Sequence, residues 1–162
     1  MNENEFLKRN LEETIKDYWR AYNNHDLETV LAFMDENVTI YFPTDPQPIQ
    51  GKEKIRKVWS VSFGKVIPDI KEEVLKTVVQ GDMVACQFIE SGTLTIPPEI
   101  ASSVNIPVVN RPYKMRMASF FRFNAKGLIE EIHSYWDTGD FSKQIGIDIS
   151  VIRSMQSHAH KS

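Results

Sequence analysis

Between residues 5 and 23 the apolar side chains Leu7, Leu11, Ile15, Tyr18, Trp19 and Tyr22 recur every three or four positions, against Lys8, Arg9, Glu12, Glu13, Lys16 and Asp17. That is the period of one helical face. Asn23-Asn24-His25-Asp26 ends this helix and supplies a cap for a second, shorter one that carries Leu27, Val30, Leu31 and Met34 and stops near Asp35-Glu36-Asn37. The β-branched and aromatic run Val38-Thr39-Ile40-Tyr41-Phe42 reads as a strand. Pro43, Pro46 and Pro48 lack an amide donor, so 43–48 reads as a loop. From Gly51, Ile55, Val58, Trp59 and Phe63 return to helical spacing up to Pro68, with Lys52, Glu53, Lys54, Arg56 and Lys57 on the wet side.

After residue 68 the period changes from 3.6 to 2. Residues 69–79 turn at Gln80-Gly81-Asp82 into a second arm, 83–96, in which Val84, Cys86, Phe88, Glu90, Gly92 and Leu94 alternate with Met83, Ala85, Gln87, Ile89, Ser91 and Thr93. Glu90 falls on the more apolar face. A carboxylate there must be paired, hydrogen-bonded or protonated, so it is either a pocket acid or a residue at the sheet rim. Residues 97–112, with four prolines, read as a long loop able to cover an opening. Strand 113–123 follows, and the turn Asn124–Gly127 leads to a last strand. That strand sets Ile129, Glu131, His133, Tyr135 and Asp137 against Leu128, Glu130, Ile132, Ser134 and Trp136. Three helices around one strand, four antiparallel strands and a short helix predict an α+β cone, a curved antiparallel sheet packed on about three N-terminal helices and enclosing a pocket. A doubly wound α/β fold is excluded, because helices stop alternating with strands after residue 68.

The 162 residues fit one domain, placed at 1–146, with 147–162 as a C-terminal tail. A net charge of −3 and no cluster of basic residues interleaved with aromatics argue against nucleic-acid binding. No apolar run approaches a membrane span, and the acidic start lacks the features of a signal peptide, so the expected location is the cytoplasm. The single Cys86 reads as a small buried residue. His158 and His160 lie in a polar end and suggest no metal site, and none is expected elsewhere.

Asp137, at the end of its strand and on the face of His133 and Tyr135, is the candidate general acid/base if that face lines an apolar cavity, where burial raises proton affinity. Capping of the following helix is the competing role. His133 lies about 13 Å from Asp137 along a regular strand, so it could act only through a shared pocket, as a proton shuttle. Trp19, Tyr41, Trp59, Leu94, Met117, Ser119 and Tyr135 are candidate pocket-lining residues. Arg116 differs in strand parity from Ser119 and is expected to face out.

The run from Gly127 to Asp137, followed by Gln144-Ile145-Gly146, resembles the glycine, aspartate and Gln-Leu-Gly pattern of SnoaL-like polyketide cyclases, with matching spacing. Tyr18–Leu27, the proline-rich loop before Gly51 and Gly92-Thr93-Leu94-Thr95 are also similar to that family, so the resemblance spans roughly residues 10–146. It implies the cone fold shared with nuclear transport factor two and ketosteroid isomerase, a small apolar ligand and a homodimer through the outer sheet face. It also implies cofactor-independent aldol-type closure with Asp137 as acid/base. Leu94 stands where the family usually has histidine, Ile96 where it has glycine, Ser119 where relatives are often acidic and His133 where an aromatic is expected. Two other functions fit the same fold: a ligand-binding or dimerising module without chemistry, and an epoxide-type hydrolase, which needs two acids.

Overall fold

The computed structural model describes the backbone of residues 3–159 and the side chains of residues 10–155. Leu7, His158 and His160 therefore lie outside the described side chains. The chain begins with helix α1 (Glu3–Asn23) and helix α2 (Leu27–Ala32), whose cap Asp26 accepts hydrogen bonds from the backbone and side chain of Thr29. Helix α2 is shorter than its apolar pattern predicts. Met34 opens strand β1 (Met34–Tyr41), and its side chain is fully buried there, so an apolar residue at helical spacing serves the sheet instead.

A two-residue strand β2 (Ile49–Gln50) leads to helix α3 (Lys52–Val61), which loosens into a π-helical turn over Ser62–Val66. Strands β3 (Lys71–Gln80), β4 (Met83–Ile96), β5 (Val109–Phe123) and β6 (Ile129–Trp136) form an antiparallel meander, and β1 joins β6 in parallel. The sheet order is β2-β1-β6-β5-β4-β3, a curved six-stranded sheet in an α+β fold. At Gly92, an added Cβ would meet the Ile67 side chain at 2.5 Å, so glycine lets the segment before β3 lie directly on β4.

Two regions differ from expectation. The predicted loop 97–112 holds a short helix, α4 (Pro98–Ser103), and the start of β5, because Val109–Pro112 pair with Thr93–Ile96. The stretch read as a tail forms helix α6 (Ile149–Ala159) after helix α5 (Thr138–Ile145), and Ile147 and Ile152 join the core. Among the described residues no helix is long and apolar enough to cross a membrane.

Two β-bulges decide which side chains face the helices. In the β3–β4 hairpin Thr77 pairs with Cys86, but beyond Leu75 the register moves by one, so Glu72 and not Glu73 stands opposite Glu90. In β5–β6 the register shifts between Arg122 and Phe123, which lets both Ile129 and Ile132 point inward. Side-chain amides anchor two strands where no neighbouring strand does. Asn23, at the end of α1, donates to the Glu72 carbonyl at 2.8 Å and accepts its N–H at 2.7 Å. Gln144 of α5 does the same for Lys114 of β5, at 3.0 and 2.9 Å, beyond the end of β6.

Candidate functional site

The helices and the inner face of the sheet enclose a cavity of about 1180 Å³. Its wall is largely apolar and aromatic. Trp19 and Tyr22 from α1, Trp59 and Phe63 from the α3 region, and Phe88 and Phe121 from the sheet surround it in mostly edge-on contacts. The exposed lining residues Gln50, Glu53, Lys57 and Val61 lie on β2 and α3, which marks that side as the opening. Pockets of this kind, apolar with a few convergent polar groups, suit small molecules.

Deep in this wall sit two carboxyls, Glu72 and Glu90, directly opposite in the β3–β4 ladder. Because the backbone N–H and C=O of Glu72 bond to Asn23, this is a pair without mutual backbone hydrogen bonds, the kind whose Cα atoms lie about 4.5 Å apart and whose side chains approach closely. Glu72 is 4% exposed, and its Oε2 has no hydrogen-bond partner. Glu90 Oε1 accepts the Tyr113 hydroxyl at 2.7 Å. The other charged lining residues, Asp45, Glu53, Lys54 and Lys57, belong to the loop 43–48 and α3.

Two like charges in low dielectric cannot both persist. Burial, then the Glu90 charge and a hydrogen bond to it, push the Glu72 carboxyl far above the usual carboxylate range. Burial also raises Glu90, but the hydrogen bonds from Glu72 and Tyr113 oppose it. Near neutral pH the pair therefore holds a proton between its two carboxyls. Burial and then the Glu90 charge raise the Tyr113 phenol, so it stays a neutral donor, and burial followed by Glu72 and Glu90 does the same to Tyr22. Two carboxyls of raised proton affinity thus stand side by side in an aromatic hollow.

The candidate residues divide by sheet face. Glu90, Trp19, Trp59, Leu94, Met117 and Ser119 all line the cavity. Asp137, His133, Tyr135 and Tyr41 do not, which corrects the expected site. The inward face of β6 is Ile132, Ser134 and Trp136, so the face of Asp137 looks outward. Asp137 is exposed and caps α5, its Oδ1 accepting the Asp140 N–H at 2.9 Å. His133 stacks on Tyr41 with ring centroids 4.2 Å apart and pairs with Glu131, and Tyr135, 54% exposed, meets Phe120 edge-on. Arg116 faces out as expected.

The motif behind the resemblance is a helix-building device here: Asp137 caps α5, Gln144 ties it to β5, and Gly146, at φ 72°, ends it. Cys86 is buried and accepts the Trp19 indole N–H at 3.5 Å, and burial raises its thiol pKa, as suits a structural residue. Glu72, Tyr22, Tyr113 and Trp136 were not singled out by sequence. The signal for Glu72 was hairpin pairing from the Gly81 turn, which points to Glu73 until the Leu75 bulge is counted. Among the described residues no group of three metal-ligating side chains converges.

Solved structures share this architecture. A candidate polyketide cyclase from a Silicibacter species is 25% identical, covering 83% of this chain and 94% of its own, with a TM-score of 0.65. IdmH, a candidate polyketide cyclase from Streptomyces antibioticus, is also 25% identical over 85% of this chain and 99% of its own, with a TM-score of 0.64. At 18% identity, the epoxide hydrolase/cyclase-like enzyme SalBIII shares the fold, covering 82% of this chain and 94% of its own at a TM-score of 0.67. No curated protein matches the sequence. The SnoaL-like domain family, in contrast, matches residues 15–132, from the middle of α1 to the cavity face of β6, and with well over half its length so matched the chain belongs to that family.

Proposed function

We propose that this chain is a cofactor-independent enzyme that moves protons on an apolar carbonyl compound, with Glu90 as general base, Glu72 as general acid and Tyr113 holding the base. The observation that carries this reading is the directly opposed carboxyl pair on the cavity wall, Glu72 buried and Glu90 half-buried, with both proton affinities raised. Glu90 takes a proton from the carbon next to a carbonyl, and the electron pair left behind forms an enolate. In an aldol closure the enolate carbon attacks a second carbonyl of the same molecule, and Glu72 gives its proton to the resulting alkoxide. The proton now on Glu90 then passes to Glu72 and resets the pair, so acid and base are regenerated with no net change. The surrounding aromatic wall excludes water from the enolate. Cyclase names among the structural relatives support this class of reaction.

The test requires no knowledge of the natural substrate. In deuterated water, the protein should accelerate exchange of the α-protons of an apolar cyclic ketone such as 2-tetralone, followed by proton NMR. Glu90→Gln should lower that rate by roughly 10²- to 10⁴-fold, whereas His133→Ala should leave it unchanged. Exchange that survives in Glu90→Gln would remove the pair from the mechanism.

Epoxide opening is the second reading, favoured by the presence of two coupled acids. There Glu72 protonates the epoxide oxygen while Glu90 activates a hydroxyl or water. Turnover of an aryl epoxide without ketone exchange would select it. The outer sheet face, with Tyr41, Phe120 and Tyr135 exposed on the adjacent strands β1, β5 and β6, supports self-association. Replacing Phe120 and Tyr135 together by Glu should give a monomer by analytical ultracentrifugation, against a dimer for the parent.

A further inference from the structure

The cavity wall carries a second polar spot that the acid pair does not use. Ser119 and Ser134 are cross-strand partners with hydroxyl oxygens 2.7 Å apart, and they are only 3% and 6% exposed. One of the two hydroxyls donates to the other, which leaves the second with a proton and no acceptor among the described residues. Trp136 lies two residues beyond Ser134 on the same inward face of β6, next to Met117 of β5. Its indole Nε1 is buried and has no hydrogen-bond partner. Two donors therefore belong to side chains that line one apolar hollow, their residues about 6.6 Å apart along the strand.

An unpaired buried donor is uncommon and unfavourable, and the indole N–H can only donate. Its complement is an acceptor, and the buried acid pair on the same wall disfavours an anionic one. We propose that Trp136, with the Ser119–Ser134 hydroxyl pair, forms a binding subsite for a neutral oxygen, a carbonyl or ether, of the bound molecule. The ladder register also sets its distance from the acids. Trp136 shares a row with Met117 and Phe88, while Glu90 lies one row further along and opposite Met115. Two strand spacings of about 4.8 Å across and two residues of about 3.3 Å along separate the Glu90 and Trp136 Cα atoms by about 12 Å. The ligand is thus an elongated, neutral, oxygenated molecule of fused-ring size, with its anchoring oxygen remote from its reacting carbon. The inference rests on the cavity being a ligand site, as in the preceding reading, and not on the acids being catalytic.

The test is a binding experiment with two probes of nearly the same shape, 9-fluorenone and fluorene, on ¹⁵N-labelled full-length protein. The chain has three tryptophans, and Trp136→Phe identifies the Trp136 indole resonance. The ketone should bind about tenfold more tightly than the hydrocarbon, the worth of one hydrogen bond, and move the Trp136 indole proton downfield. Trp136→Phe should bring the two affinities together, and Ser119→Ala should reduce the preference without removing it. Equal affinities in the parent protein, binding of neither probe, or a ketone preference that persists in Trp136→Phe would each overturn the subsite. Because the readout is affinity, it fails or holds independently of the proton-exchange assay.

Discussion

Glu90 and Glu131 are both mid-strand glutamates of the same sheet, and the sheet treats them in opposite ways. Glu90 points into the cavity, where burial pushes its proton affinity up against the hydrogen bonds from Glu72 and Tyr113. Glu131 points outward, where Arg122, at 2.7 Å, and then His133 hold its carboxyl below the usual range. The outer face has the residues of an acid/base site in abundance, including His133, Tyr41, Tyr135 and nearby Asp137. Water reaches this face, His133 is paired with Glu131, and Asp137 is engaged as a helix cap. Side-chain type does not make a proton-transfer group; the face of the pleat does.

The sharpest way to break this contrast is to alter one group on each side. Glu90→Gln should cost roughly two to four orders of magnitude in ketone proton exchange while His133→Ala costs nothing measurable, both read by NMR. The packing version uses neighbours in sequence. Phe121, 1% exposed and edge-on to Tyr18 and Trp19, should lose about 3–5 kcal/mol of stability on replacement by Ala in urea unfolding. Phe120, 41% exposed on the other face, should lose under about 1 kcal/mol in the same measurement at concentrations that keep the protein monomeric.

A third experiment uses pH. Glu72 ionises near 4.5 in the unfolded chain but keeps its proton to much higher pH in the fold. Above that value the folded state holds the extra proton, so Glu72's contribution to stability is complete at low pH and falls as pH rises, by up to about 1.4 kcal/mol per unit. Glu72→Gln removes that slope. Its stability relative to the parent should therefore climb between about pH 5 and about pH 8 in urea titrations, and a constant difference would mean that Glu72 is not the proton carrier. A smaller effect belongs to Asp137→Ala, which should cost about 1 kcal/mol through the lost helix cap and leave proton exchange intact.

Much of the architecture is legible in the residues. The apolar stripe of α1, the period-2 arms around Gly81 and the parity that places Met117 and Ser119 inside and Arg116 outside all follow from local pattern. Glu90 on an apolar face also pointed to the cavity. Other features depend on partners distant in sequence. Residues 109–112 become strand because β4 runs long enough to pair with them. Both faces of β6 carry aromatics, so nothing local tells which one the helices cover. Glu72 stands in the polar run Lys71-Glu72-Glu73, and only the Leu75 bulge and the Asn23 contact from α1 turn it inward. The aspartate motif misled for a different reason: its spacing records how a helix is started, tied down and stopped.

Strand β3 borders the sheet, and its free side is where a foreign strand would add. At the Glu72 row that side is already taken, because the carboxamide of Asn23 occupies both backbone groups in the manner of a seventh strand one residue long. The same amide that fixes the acid thus plugs the border next to it, and an intruding chain cannot zip past this point without first detaching the end of α1.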